Sequence, residues 1–349
     1  MRSSLKRKSN VLSFVLISLS VLALILYIYF VDGIQNIFNI FINCNKVLFL
    51  IGFLSMILFW NFDYIILNVG LSIFNSKLTF KNGFRNAILG QFFNNITPSA
   101  TGGQPFQAFY MNRYCGINYG VAIGALLIKF LCYQITLTVS CSVLLFLKFK
   151  FFVSRIQGFS FFMFFGFLVN AVFATILIII GLNKKLTVFL IEFFVKVLGK
   201  LKIFKETEQK LINVRKEVDL FNKVILSSFK NIGKFFKMIF FSFLKIASLY
   251  SVNIIIALLF GIKLSFNGIF NIISGAACVQ VTSTFIPLPG AVGGAEFLFF
   301  IIYDGIFEAN TTSSALLFWR IYTFYFPIIV GLFFSRGLFK KYEFKNISK

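Results

Sequence analysis

Long apolar blocks separated by shorter polar ones dominate the chain. Six of them, 11–31, 47–73, 119–147, 159–182, 238–260 and 313–335, are long enough to cross a hydrocarbon core about 30 Å thick at about 1.5 Å of rise per residue. The pattern predicts six spanning helices. The first follows Arg2, Lys6, Arg7 and Lys8, as a signal peptide would, but it is long for one, no A-x-A cleavage site follows and more spans come after, so a retained signal anchor is expected. Two other apolar stretches, 83–112 and 268–308, are broken midway by Pro and Gly and fit single clean spans poorly. They predict re-entrant hairpins. Backbone that leaves helical geometry at membrane depth must be buried in protein or line a wet cavity, because lipid cannot satisfy its N–H and C=O groups.

The expected fold is therefore an all-α integral membrane protein with about six spans and two broken hairpins in one polytopic domain, 1–349. Its first half, 1–182, holds the hairpin 83–112. A basic segment, 184–237, follows, and the second half, 238–349, holds the hairpin 268–308.

Composition supports this and removes alternatives. Of 349 residues 58% are hydrophobic and 13% charged, against about a quarter charged in soluble domains, which excludes a soluble globular protein. Histidine is absent, excluding His-based triads, His-ligated metals and an imidazole base. Cys44, Cys115, Cys132, Cys141 and Cys278 form no C-x-x-C pair, and no disulfide is expected. The net charge of +23 reads as loop positioning toward an anionic cytoplasmic leaflet rather than as a nucleic-acid surface. With a cytoplasmic N-terminus, and each broken stretch returning to the side it entered, the inside segments 1–10, 75–118, 184–237 and 336–349 carry 26 of the 34 Lys and Arg. The outside segments carry five, as the positive-inside rule requires, and both termini are then cytoplasmic. Lys129, Lys245 and Arg320 fall within spans.

Segment 184–237 has thirteen basic and five acidic residues, with Leu211, Val214, Val218, Phe221 and Ile225 at helical spacing. Two readings are open: an amphipathic cytoplasmic helix lying on the membrane, or a solvated linker between the halves.

The two breaks resemble each other. Shifting Gly90–Phe109 by 191 residues lays Pro98 on Pro289, Gly102 on Gly293, Gly103 on Gly294, Phe106 on Phe297 and, farther on, Lys129 on Arg320. The topology above makes these inverted repeats, a recurrent plan of transporters that open a midplane site alternately to each side. A Gly-Gly before a new helix leaves unpaired N–H groups at a positive dipole end, which would suit a phospholipid phosphate. Gly-Gly equally permits close helix packing. The candidate headgroup-binding residues are Asn95, Thr97, Pro98, Gly102, Gly103, Gln104, Gln107, Lys129, Pro289, Gly293, Gly294, Glu296 and Arg320. Buried cations need a cavity or an acid. Glu296 is the candidate partner of Arg320, and Asp63 that of Lys129.

Four runs, N-N-x-x-P-S-x-x-G-G-Q-P-x-Q at 94–107, I-K-F-x-x-Y-Q at 128–134, I-P-L-P-G-x-x-G-G-A-E at 286–296 and L-L-F-W-R-x-x-T-F-Y-x-P at 316–327, resemble the transmembrane region of lysylphosphatidylglycerol synthases. The resemblance covers nearly the whole chain. It implies a multi-pass bacterial plasma membrane protein that binds or moves phospholipid, in the full-length synthases lysylated phosphatidylglycerol. Those synthases add a soluble acyltransferase domain fed by lysyl-tRNA; the expectation here is the transmembrane region without it. Some relatives have an acid and a base after the first Gly-Gly, where this chain has Gln104 and Gln107.

Three functions follow as expectations. The first is a phospholipid flippase or lipid-binding protein handling phosphatidylglycerol or its lysyl form. The second is phosphatidylglycerol lysyltransfer, alone or with a partner carrying the catalytic domain, and the third is small-solute or ion transport. Membrane phospholipid is the expected partner, and no cofactor, metal site or catalytic residue is assigned. No G-x-x-x-x-G-K-S/T loop occurs, which argues against direct ATP use.

Overall fold

The structure, a computed structural model, describes residues 44–154, 208–283, 286–304, 306, 307 and 311–335, with Ile42 and scattered positions between 166 and 189. All regular elements among them are helical. Among the described residues four helices are long and apolar enough to cross a membrane: α1 (Lys46–Leu71, drawn out to Phe74 by a short 3₁₀ turn), α4 (Tyr119–Leu147), α6 (Ile232–Leu259) and α9 (Thr312–Ser335). They match four of the six expected spans. The span expected at 11–31 lies outside the described residues, as does most of that at 159–182.

Local chemistry sets the helix ends. The Asn45 side chain accepts the N–H groups of Val47 and Leu48 to start α1, and Asn231 accepts that of Lys234 to start α6. α6 begins six residues earlier than its apolar block because its basic first turns find partners: the Lys234 ammonium donates to the Ser72 carbonyl at 2.9 Å. Between α1 and α4 lie α2 (Phe80–Ile96) and α3 (Gly103–Cys115). Between α6 and α9 lie α7 (Phe266–Ser283) and α8 (Gly294–Tyr303). These pairs are the two broken stretches, and each folds as two helices packed on one another across a non-helical break.

α6 packs along α1, and α9 packs against α6 and closes on α1 through Tyr322, whose hydroxyl donates to the Phe49 carbonyl at 2.9 Å, and Phe326, which stacks on Trp60. The polar segment supplies α5 (Glu208–Lys230), which docks along α4. Val218, Phe221, Val224 and Ile225 are buried there, and the Glu217 carboxylate accepts the Gly120 N–H. The described part of the stripe, Val218, Phe221 and Ile225, is thus covered by protein. An amphipathic pattern shows that a face needs cover but not what supplies it.

Candidate functional site

The first break begins where α2 meets Pro98, and in the second the chain is likewise extended before Pro289. A residue before Pro avoids helical geometry, so α2 stops with Thr97 extended at φ −112°, ψ 144°, and Leu288 before Pro289 adopts φ −112°, ψ 150°. Both chains then turn through left-handed backbone: Ser99 at φ 51° aligns with Gly290 at φ 60°, and Ala100 at φ 52° with Ala291 at φ 52°. The 191-residue offset seen in the letters is therefore present in the dihedrals. The likeness ends at the first Gly of each pair, where Gly102 has φ −82° and Gly293 has φ 85°. The two turns pack against each other.

The amides expected to be unpaired at the Gly pairs are paired at three of the four glycines. The Gly103 N–H donates to Asn94 Oδ1 at 3.0 Å and the Gly102 N–H to Thr97 Oγ1 at 2.9 Å, while the Thr97 hydroxyl donates to the Phe93 carbonyl. In the second break the Gly293 N–H donates to Glu296 Oε2 at 2.7 Å. The first pair serves close packing instead: a Cβ on Gly103 would stand 2.2 Å from Asn94 Oδ1 and 2.4 Å from the Gly90 carbonyl oxygen. Gly103→Ala is expected to push α2 and α3 apart at a cost of about 1–3 kcal/mol, read as a lower melting temperature of the detergent-solubilised protein. An unchanged melting temperature would show that the hairpin accommodates the methyl group.

A cavity of about 340 Å³ lies where the turns meet. Asn94, Asn95, Ser99 and Ala100 line it from the first break, and Leu288, Gly290 and Ala291 from the second. Asn95 Nδ2 lies 3.4 Å from the carbonyls of Thr323 and Phe324 and Asn95 Oδ1 accepts from Gln91, which fixes the amide across the join between the hairpin and α9. Arg320 supplies the charge. It is 4% exposed, its Nη1 donates to the Gly290 carbonyl at 3.1 Å, and its Nη2 stands 2.6 Å from Glu296 Oε1. The guanidinium also lies over the rings of Trp319 and Phe324. The Glu296–Arg320 pairing read from the sequence is present, and Glu296 holds the start of α8 and the buried arginine at once.

Lys129 does pair with Asp63, at 2.9 Å, but it is not in the cavity. It lies in a separate cluster with Gln107, whose Oε1 accepts from Lys129 at 3.1 Å, and with Lys245, which takes the other oxygen of Asp63 at 2.6 Å. Lys129 and Arg320, grouped above as candidates for one headgroup site, thus lie in two neighbouring polar sites. Of the other candidates, Asn95 faces the cavity. Thr97, Gly102 and Gly103 form the internal bonds of the first break, Pro98 and Pro289 shape the turns, and Gln104 is partly exposed at the start of α3. Gly293 and Gly294 open α8. Sequence reading missed Gln91, Asn253, Gln280 and Ser283 as cavity-lining residues, since single polar residues on apolar helices carry no spacing signal.

The chain is thus a multi-pass, all-helical membrane protein in which two discontinuous helical hairpins meet at a cavity lined by both apolar and polar side chains. It belongs to the lysylphosphatidylglycerol synthase transmembrane region family, whose model matches residues 11–331. Over 117 residues it is 32% identical to a UPF0104 membrane protein of Methanocaldococcus jannaschii, a match covering 32% of each chain. No solved structure matches it.

Proposed function

We propose that the protein binds the headgroup of a membrane phospholipid in the cavity between its two breaks and passes it across the bilayer. One observation carries this reading: residues of both turns converge on a single cavity of about 340 Å³ that combines amides, hydroxyls and one arginine. That size falls within the range of small-ligand sites, about 300–1,000 Å³, and the donors suit phosphate and glycerol oxygens. The family name adds phosphatidylglycerol or its lysyl form as cargo. In this reading the hairpins enter from opposite faces as inverted repeats, the termini are cytoplasmic and the membrane is a bacterial plasma membrane, in keeping with the distribution of Lys and Arg.

The test is reconstitution in liposomes with labelled phosphatidylglycerol or lysylphosphatidylglycerol. Translocation above that of protein-free vesicles is expected, falling at least about tenfold in Arg320→Gln, the loss of about 1.4 kcal/mol of headgroup binding. No translocation of either lipid, or an undiminished rate in the variant, would reject the reading.

A further inference from the structure

The most highly charged part of the interior lies beside the cavity and is not used by it. Asp63 of α1 is held between two lysines, with Lys129 Nζ of α4 at 2.9 Å from Oδ2 and Lys245 Nζ of α6 at 2.6 Å from Oδ1. Gln107 of α3 accepts from Lys129 at 3.1 Å, and its amide donates to the Asn86 carbonyl of α2 at 3.2 Å and reaches toward Asp63 at 3.5 Å. Lys245 Nζ lies 4.6 Å from the ring centres of both Phe59 and Tyr133. Asp63, Lys129, Lys245 and Tyr133 are the titratable groups facing one another here. The side chains of Asp63, Lys129 and Lys245 are 8%, 9% and 12% exposed.

With every group ionised, two ammonium ions share one carboxylate and a net charge of +1 is buried among membrane helices. An uncompensated charge in such a place is strongly disfavoured, and loss of one proton removes it. Lys129 is placed to lose it without breaking a bond. A neutral amine still has two N–H groups for Asp63 Oδ2 and Gln107 Oε1, whereas Lys245 uses its charge over two aromatic faces. The cluster also touches the cavity, because Phe59 and Tyr133 line it, and the Tyr133 hydroxyl accepts from Gln280, another lining residue, at 2.5 Å.

We propose that the Asp63–Lys129–Lys245 cluster is a proton-binding site, with Lys129 Nζ carrying the exchangeable proton, and that its loading drives lipid movement through the adjoining cavity. The driving half of this rests on the lipid reading above. In the step, Lys129–NH₃⁺ becomes Lys129–NH₂ and the proton passes to water; no other bond breaks. Loaded, the cluster sets one positive charge beside the cavity and favours a phosphate there. Unloaded, it is neutral and lets the phosphate go.

The experiment measures translocation of labelled phosphatidylglycerol by the full chain in liposomes with and without a proton gradient. The gradient is expected to raise the rate about threefold to tenfold per pH unit, tenfold being the ceiling for one proton per cycle. In Lys129→Met the ratio of rates with and without the gradient is expected to fall to one. Lys245→Met, which leaves Lys129 as the sole cationic partner of Asp63 and so keeps it charged, is a second variant with the same expected loss. A wild-type rate indifferent to the gradient, or variants that respond as the wild type does, overturns the proton site while leaving lipid movement standing. If no labelled lipid moves, the lipid reading fails by itself, and acid–base titration of the solubilised protein decides the proton site. One more proton taken up by the wild type than by Lys129→Met between pH 9 and pH 5 supports it; equal uptake overturns it.

Discussion

Asp63→Ala is expected to cost about 3–5 kcal/mol and to leave little folded protein in detergent extracts, because it strands two ammonium ions inside the helix bundle. Lys129 retains only the Gln107 amide oxygen and Lys245 only its aromatic neighbours. The partners pack from α4 and α6 against α1, so the damage falls on the central packing of the molecule. Replacing the whole group, Asp63→Leu with Lys129→Met and Lys245→Met, is expected to restore folding, since a well-packed apolar substitute for a buried ionic group is often neutral or stabilising. Melting temperature and the yield of monodisperse protein read both results. A single variant that melts as the wild type does, or a triple variant no better than the single, would show that the ion pairs are not what holds these helices.

Glu296→Ala is expected to be of similar size, about 3–5 kcal/mol, with its damage confined to the second break. It removes the anion 2.6 Å from Arg320, which is 4% exposed, and the acceptor of the Gly293 N–H at the start of α8. Glu296→Gln separates the two losses: an amide oxygen still accepts from Gly293 while the charge pairing is gone, so an intermediate melting temperature is expected. Equal melting of the two variants would mean that the ion pair, not the N-terminal bond of α8, is the larger contribution, and a Gln variant that melts as the wild type does would mean the reverse.

Much of this interior was legible in the letters because membrane burial makes each charge conspicuous. Asp63 and Glu296 were identifiable as partners of Lys129 and Arg320 since an apolar span tolerates a charge only beside its opposite. Lys245 was visible as a cation within a span, but its choice of Asp63 depends on how α6 lies along α1, and that is decided by packing. The Gly pairs were misread for a related reason. Asn94 reaches Gly103 nine residues on and Thr97 reaches Gly102 five residues on, across a break where helical periodicity no longer says which side chains meet. Thr97, which read as a ligand for a headgroup, bonds the backbone of its own break. The letters did mark the turns themselves, because proline and the residue before it restrict the backbone whatever surrounds them.

One arrangement described above bears on how such a molecule could rearrange. Lys129 of α4 grips Gln107 in the hairpin just before it, and Arg320 of α9 grips Gly290 and Glu296 in the hairpin just before it. Each hairpin is therefore shackled to the long helix that follows it, so that tilting either helix drags its own hairpin along like the blade of a pair of shears. Where the blades cross, the first is pinned to α9 at two places of unequal grip: the Asn95 amide reaches the Thr323 and Phe324 carbonyls at a long 3.4 Å, while Arg85 Nη2 donates to the Phe334 carbonyl at 2.6 Å, so the Asn95 end yields first and the Arg85 end serves as the rivet.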